Sequence, residues 1–183
     1  MVNVIENCIP VDIQDKIENL LFDKNFPWFF NEKTVYEDIN KGYFFNDKNT
    51  VSGSQFNHTF LTDYKINSDF CKNIAPIMFY FSLASGIKVD KPIRIKANLT
   101  TPDIFYSENL HRPAHYDTLD KNIVTVIYYV NDSDGDTVFY DKRFEGDPVG
   151  DIKVVKSVTP KKGRAVIFDS NQLHAGSCPR ESK

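Results

Sequence analysis

The sequence of 183 residues is poor in cysteine and tryptophan, with three cysteines and one tryptophan. Cys8, Cys71 and Cys178 are an odd number without a close pair, which excludes a disulfide framework and a Cys-x-x-Cys metal site. No apolar run approaches the roughly 20 residues that a membrane-spanning helix needs, and the first residues lack the basic start of a secretory signal. We therefore expect a soluble, cytoplasmic protein with reduced thiols and no membrane partner.

The chain also lacks a net positive charge. Its formal charge is −3, so no overall positive field gathers nucleic acid. Residues 151–183 carry +4 and residues 1–150 carry −7. The basic segment fits either an anion site or solvated lysines on strand edges. Because no aromatic residues interleave with these charges, we do not expect a nucleic-acid partner, and nothing indicates the oligomeric state.

Helical spacing is confined to the first half of the chain. A helix is predicted after Pro10, and a second one from Ser68 or Asp69 to Gly86. A short strand is expected within residues 2–9. Residues 40–68, rich in Asn, Asp, Ser, Thr and Gly, predict a long loop with short extended pieces, of the kind that often covers a binding site. We therefore expect residues 1–90 to form a helical and loop support region.

From residue 91 onward the apolar residues alternate with polar ones. Ile93, Ile95, Ala97 and Leu99 predict one face of a strand. Turn signals separate six further predicted strands, at residues 103–106, 122–131, 136–140, 152–158, 163–169 and 172–177. Many short strands without intervening helices predict a mainly β fold, an antiparallel sandwich or jelly roll, over residues 91–183 within one compact domain.

Three polar residues of this half have the spacing of a metal site. His115 and Asp117 are two positions apart, so in an extended segment both side chains point to the same side. This pair alone is weak evidence, because one such coincidence is unsurprising in this composition. His174, just after another predicted strand, supplies a third ligand. Two histidines and one carboxylate suit non-haem Fe(II), since they leave positions open for a cosubstrate and oxygen.

The motifs around these residues occur in a recognisable order. They are His-Tyr-Asp at 115–117, Thr-Val-Ile-Tyr-Tyr-Val-Asn at 125–131, Gly-Asp-Thr-Val-Phe at 135–139, Pro-Lys-Lys-Gly-Arg-Ala-Val-Ile-Phe-Asp at 160–169 and His-Ala-Gly-Ser at 174–177. Together they resemble the Fe(II)/2-oxoglutarate dioxygenases, and more narrowly the prolyl-4-hydroxylase-like branch with its small phage and bacterial members. The resemblance covers roughly residues 91–183.

The resemblance implies a double-stranded β-helix, or jelly roll, with N-terminal supporting helices. It implies Fe(II), 2-oxoglutarate as cosubstrate and O2, with L-ascorbate as a further candidate reductant. By the same resemblance His115, Asp117 and His174 are the iron ligands. Tyr129, with Thr125 on the same strand face, matches the position of a donor to 2-oxoglutarate.

The basic residue that anchors 2-oxoglutarate is less clearly matched. In the family it follows the second histidine by about nine to eleven residues, and a final strand comes after it. Lys183, the last residue, is nine positions after His174, and Arg180 is six positions after it. The sequence leaves three alternatives open: Lys183, Arg180, or a residue of a natural chain that continues further.

The implied reaction is hydroxylation of a C–H bond, with succinate and CO2 as co-products. The resemblance favours a prolyl residue in a protein or peptide, while a small molecule or a nucleobase stays open as substrate. A non-catalytic metal-binding jelly roll is the alternative of a different class. Arg94, Lys96, Asn98 and Tyr106 either line a substrate entrance or face solvent.

Overall fold

The computed structural model describes residues 2–34, 45–46, 49–51, 53–102, 110–146 and 150–181. This part of the chain is mainly β, with three antiparallel sheets, one short parallel pair (Phe45–Asn46 with Gly150–Asp151) and two helices. The strands are β1 (Asn3–Ile5), β2 (Phe29–Asn31), β3 (Phe45–Asn46), β4 (Gln55–Thr62), β5 (Lys65–Ile66), β6 (Arg94–Leu99), β7 (Val124–Tyr128), β8 (Thr137–Arg143), β9 (Gly150–Asp151), β10 (Val154–Val158), β11 (Ala165–Asp169) and β12 (Gln172–Gly176). The helices are α1 (Val11–Leu21) and α2 (Cys71–Ser85).

Both helices confirm the predictions from periodicity. α1 begins directly after Pro10 and buries Ile17 and Leu21. α2 ends at Gly86, which adopts the left-handed conformation, with φ 70°, that glycine tolerates without a steric penalty. Neither helix in the described part of the chain is long and apolar enough to cross a membrane.

Two three-stranded antiparallel sheets build the jelly roll. One has the strand order β1-β11-β7 and the other β10-β8-β12. Along the chain, β7 lies in the first sheet, β8 and β10 in the second, β11 in the first and β12 in the second, which is the winding expected of a double-stranded β-helix. Strand residues from both sheets form one apolar cluster in the interior: Phe139 comes from β8, and Val166 and Phe168 come from β11.

A third sheet, of order β2-β4-β5 with β6 against β4, stands beside them. The prediction of a long loop with short extended pieces over residues 40–68 is wrong in extent, because Gln55–Thr62 forms the eight-residue strand β4. The polar composition of β4 gave no strand signal, because this strand is stabilised by pairing with strands distant in sequence. Phe30 of β2 lies opposite Phe56, and Phe56 lies opposite Leu99 of β6.

The predicted strands from residue 91 onward are present as β6, β7, β8, β10, β11 and β12, with shifted ends. The strand predicted at 103–106 lies outside the described residues. The N-terminal strand β1 pairs with β11, so the support region contributes directly to a jelly-roll sheet. The division of the chain at residue 90 stays a prediction.

Candidate metal centre

The two histidines and the aspartate predicted to bind metal lie together. One ligand atom from each of His115, Asp117 and His174 can be chosen so that all three are within 4.8 Å of one another. His174 Nε2 lies 3.9 Å from Asp117 Oδ2, and the two imidazole centroids are 4.3 Å apart. Such a spacing suits three ligands that share one ion.

Backbone hydrogen bonds bring these residues together. His115 and His174 exchange two N–H···O=C bonds, each 3.0 Å long, which place the segment bearing His115 beside β12. The backbone N–H groups of Asp117 and Thr118 both donate to the carbonyl oxygen of Ser170, at 2.8 and 3.2 Å. The turn between β11 and β12 therefore fixes Asp117, while β12 itself fixes the histidines.

Each imidazole is oriented by the nitrogen that faces away from the other ligands. His174 Nδ1 donates to the carbonyl oxygen of Gln172 at 2.9 Å, and His115 Nδ1 donates to that of Pro113 at 3.3 Å. Because a carbonyl oxygen only accepts, the proton of each neutral ring is on Nδ1 and the lone pair is on Nε2. Phe139 and Phe168 pack against the His174 ring and restrict its rotation. Both rings thus present Nε2 as a ligand atom.

The two oxygens of Asp117 are held by different elements. Thr125 Oγ1, on β7, donates to Oδ2 at 2.6 Å. Arg94 Nη2, on β6, donates to Oδ1 at 2.8 Å. Thr125 Oγ1 also lies 3.0 Å from Ser170 Oγ. Sequence reasoning assigned Thr125 to 2-oxoglutarate, whereas its hydroxyl contacts the carboxylate of the metal triad; its role toward the cosubstrate stays a prediction.

The protonation states of the triad are those that a cation requires. Burial lowers the pKa of His174 and of His115, and the charge of His174 lowers that of His115 further. Burial alone would raise the pKa of Asp117. The charge of His174 and the Thr125 hydrogen bond, assisted by His115 and Arg94, instead bring it below its ordinary value. Neutral imidazoles beside an ionised carboxylate form a ligand set that loses few protons on binding a metal.

The other predicted cosubstrate residues lie in different environments. Tyr129 is buried and donates its hydroxyl hydrogen to Thr137 Oγ1 at 2.8 Å. Burial raises its pKa to about 12, so the phenol remains a hydrogen-bond donor at neutral pH. Arg180 is exposed, and its backbone N–H donates to the Asp134 carboxylate. Lys183 lies outside the described residues.

Sequence reasoning missed how polar residues near the triad are used. The sequence left open whether Arg94 lines a substrate entrance or faces solvent. In the structure the Arg94 guanidinium donates a hydrogen bond to Asp117. The alternation in β6 predicts that Arg94 and the apolar residues lie on opposite faces of the strand. No sequence signal indicates which residues the face bearing Arg94 contacts. Gln172 was also missed: its amide donates to three backbone carbonyls, of Tyr140, Lys142 and Leu173.

The two remaining histidines, His58 and His111, have other partners. His58 is buried, with Nδ1 2.7 Å from the carbonyl oxygen of Pro27 and Nε2 2.8 Å from Ser68 Oγ. His111 Nδ1 lies 3.0 Å from Ser177 Oγ. Neither joins the triad found within the described part of the chain.

Comparison with known proteins agrees with this site. The family model of the 2OG-Fe(II) oxygenase superfamily matches residues 104–183, the segment that contains all three candidate ligands. Among solved structures, a prolyl-4-hydroxylase from Pseudomonas putida is similar at 14% identity and a TM-score of 0.48, over 97% of this chain and 85% of that one. No curated protein matches the chain. Residues 104–183 are therefore similar to the 2OG-Fe(II) oxygenase superfamily, which supports a 2-oxoglutarate-dependent dioxygenase.

Proposed function

We propose that this protein is an Fe(II)- and 2-oxoglutarate-dependent hydroxylase that acts on a prolyl residue of a protein or peptide. The observation that carries the proposal is the convergence of His115, Asp117 and His174 within one matched family segment. Their donor set fits Fe(II), because two imidazole nitrogens and one carboxylate on one side of an ion leave open positions for further ligands. A purely structural zinc site would instead need a fourth protein ligand.

In the proposed enzyme His115, Asp117 and His174 hold the iron. Bound Fe(II) supplies the activation of O2 and the coupling of 2-oxoglutarate decarboxylation to hydroxylation of the substrate. The protein orients the two imidazoles through Gln172 and Pro113, and it keeps the carboxylate ionised through Thr125 and Arg94. These contacts prepare the ligands before the metal arrives, which reduces the cost of ordering them on binding.

Further assignments of the proposal concern the cosubstrate. Tyr129, buried among Phe139, Val166 and Phe168, offers a phenol donor to 2-oxoglutarate in an apolar interior. Thr125 lies on the same strand face, and Arg180 or Lys183 supplies the basic partner in the family-based assignment. We include L-ascorbate as reductant in the same way. The unbridged thiols of Cys8, Cys71 and Cys178 support a cytoplasmic location.

The test uses purified protein with Fe(II), 2-oxoglutarate, O2 and a proline-containing peptide library. We expect the peptide to gain one oxygen atom at proline, with one succinate formed per hydroxylation. Asp117→Ala should abolish both products, whereas Asp12→Ala, at an exposed helical carboxylate, should retain them. Succinate without any peptide oxidation would refute the prolyl substrate. Absence of succinate with every substrate class would refute the dioxygenase.

A further inference from the structure

Strand β6 presents a polar face beside the metal centre. Its residues Ile95 and Ala97 pack against the apolar core, so Arg94, Lys96 and Asn98 lie on the opposite face. The hydrogen bond from Arg94 to Asp117 Oδ1 shows that this opposite face is directed toward the triad. Lys96, two positions further along β6, therefore projects from the same face.

Electrostatic contacts agree with this position of Lys96. Burial lowers the pKa of Lys96, the charge of Arg94 lowers it further, and the charge of Asp117 opposes both, which places Lys96 within electrostatic reach of Arg94 and Asp117. Within the described residues, no carboxylate oxygen lies within the 4.0 Å of an ion pair with its ammonium. Asp117 does not fill that role, because its oxygens bind Arg94 and Thr125.

The charges around the site are unbalanced once a divalent ion is present. Arg94 and Lys96 contribute one positive charge each, the ion two, and Asp117 one negative charge. The excess of positive charge favours an anionic ligand of two charges, which is the charge of 2-oxoglutarate at neutral pH. Arg94 already donates to Asp117 through Nη2, whereas the Lys96 ammonium has no carboxylate partner within the described residues, so we take Lys96 as the cation that receives the ligand.

We propose that Lys96 binds the distal carboxylate of 2-oxoglutarate. The inference rests on the proposed function and replaces one of its family-based assignments: the cosubstrate is anchored from β6, ahead of the triad in sequence, and not by Arg180 or Lys183. The flexible four-carbon stem of Lys96 allows its ammonium to follow the carboxylate as the cosubstrate settles.

The experiment measures binding to the Mn(II)-loaded full chain by calorimetry, without turnover. Two ligands are compared: 2-oxoglutarate, and 2-oxopentanoate, which has the same 2-oxo acid head and a methyl group in place of the distal carboxylate. For Lys96→Ala we expect 2-oxoglutarate affinity to fall roughly 10- to 100-fold, with 2-oxopentanoate affinity unchanged. Lys96→Arg, which keeps the charge, should restore part of the preference.

Three control variants sharpen the result. Lys65→Ala, at an exposed lysine of β5, should bind both acids as the wild type does. Arg180→Ala tests the rival anchor and should also leave the preference intact. Equal weakening of both acids by Lys96→Ala, or an unchanged preference, would overturn the assignment of Lys96. If Arg180→Ala alone removed the preference, the anchor would be Arg180 and the Lys96 proposal would be wrong.

The failure of the proposed function has a different signature. In that case the wild-type protein would bind Mn(II) yet neither acid, and the Lys96 assignment would fall with it. Binding of 2-oxoglutarate by the wild type with no effect of Lys96→Ala would overturn the Lys96 assignment alone. Mn(II) affinity, measured in the same titrations, should not weaken in Lys96→Ala, because removing a positive charge near the triad reduces repulsion of the cation; weaker Mn(II) binding would indicate a misfolded variant.

Discussion

The hydrogen bond from Thr125 to Asp117 gives the most specific prediction about the metal centre. Thr125→Val keeps the shape of the side chain and removes the hydroxyl that lies 2.6 Å from Asp117 Oδ2. Hydrogen bonds to charged groups contribute about 1.5–3 kcal/mol, so we expect the loss of this bond to raise the pKa of Asp117. Outer-shell partners of metal ligands typically change metal affinity 10- to 100-fold, which is the loss we expect for Mn(II).

The assay is calorimetric titration of Mn(II) into wild type, Thr125→Val and Thr125→Ser at several pH values. The serine variant retains a hydroxyl and should bind Mn(II) nearly as the wild type does. The Ser170 hydroxyl, 3.0 Å from Thr125 Oγ1, also loses a partner in the valine variant, so thermal unfolding is measured in parallel. Unchanged Mn(II) affinity in correctly folded Thr125→Val would refute the role of this hydroxyl in preparing Asp117.

Two further predictions concern the stability of the metal-free protein. Burial lowers the pKa of His115 and His174 in the folded state. As the pH falls below about 6.5, the unfolded chain therefore binds protons at these histidines before the folded protein does. The free energy of unfolding should then drop by up to about 1.4 kcal/mol per pH unit for each histidine. Urea denaturation from pH 7 to 5 tests this, and a double His115→Ala, His174→Ala variant with the same slope would contradict it. Gly163→Ala should destabilise the fold by about 1–3 kcal/mol, because Gly163 has φ +80° and an added Cβ would lie 2.5 Å from Gln14 Nε2. Thermal unfolding at neutral pH measures that loss. Gly176→Ala is the control, because a Cβ added at Gly176 meets no atom within 4 Å. Equal melting temperatures of the two variants would refute the prediction.

The sequence was most informative where local rules and final structure agree. Helical spacing and Gly86 predicted α2, and strict alternation predicted β6, because both patterns are set by which side chains face the core. The proximity of His115, Asp117 and His174 was predictable for a related reason. The first two of these residues are neighbours on one extended segment, and the motifs around His174 identify the third.

Features that depend on distant partners were not predictable in the same way. The polar strand β4 forms because β2 and β6 pair with it, which no local pattern in Gln55–Thr62 encodes. The contact of Arg94 with Asp117 joins residues 23 positions apart. Alternation separated the two faces of β6 correctly, but only the packing of the third sheet beside the jelly roll decides that one of them meets the metal centre.

The most direct test of the central claim is anaerobic addition of Fe(II) and then 2-oxoglutarate, followed by visible absorption spectroscopy. The account predicts a weak metal-to-ligand charge-transfer band that requires both additions and disappears in His115→Ala. His111→Asn is the matched control, since His111 lies outside the triad, and it should retain the band. Iron binding without this band in the wild-type protein, or an unchanged band in His115→Ala, would contradict the account.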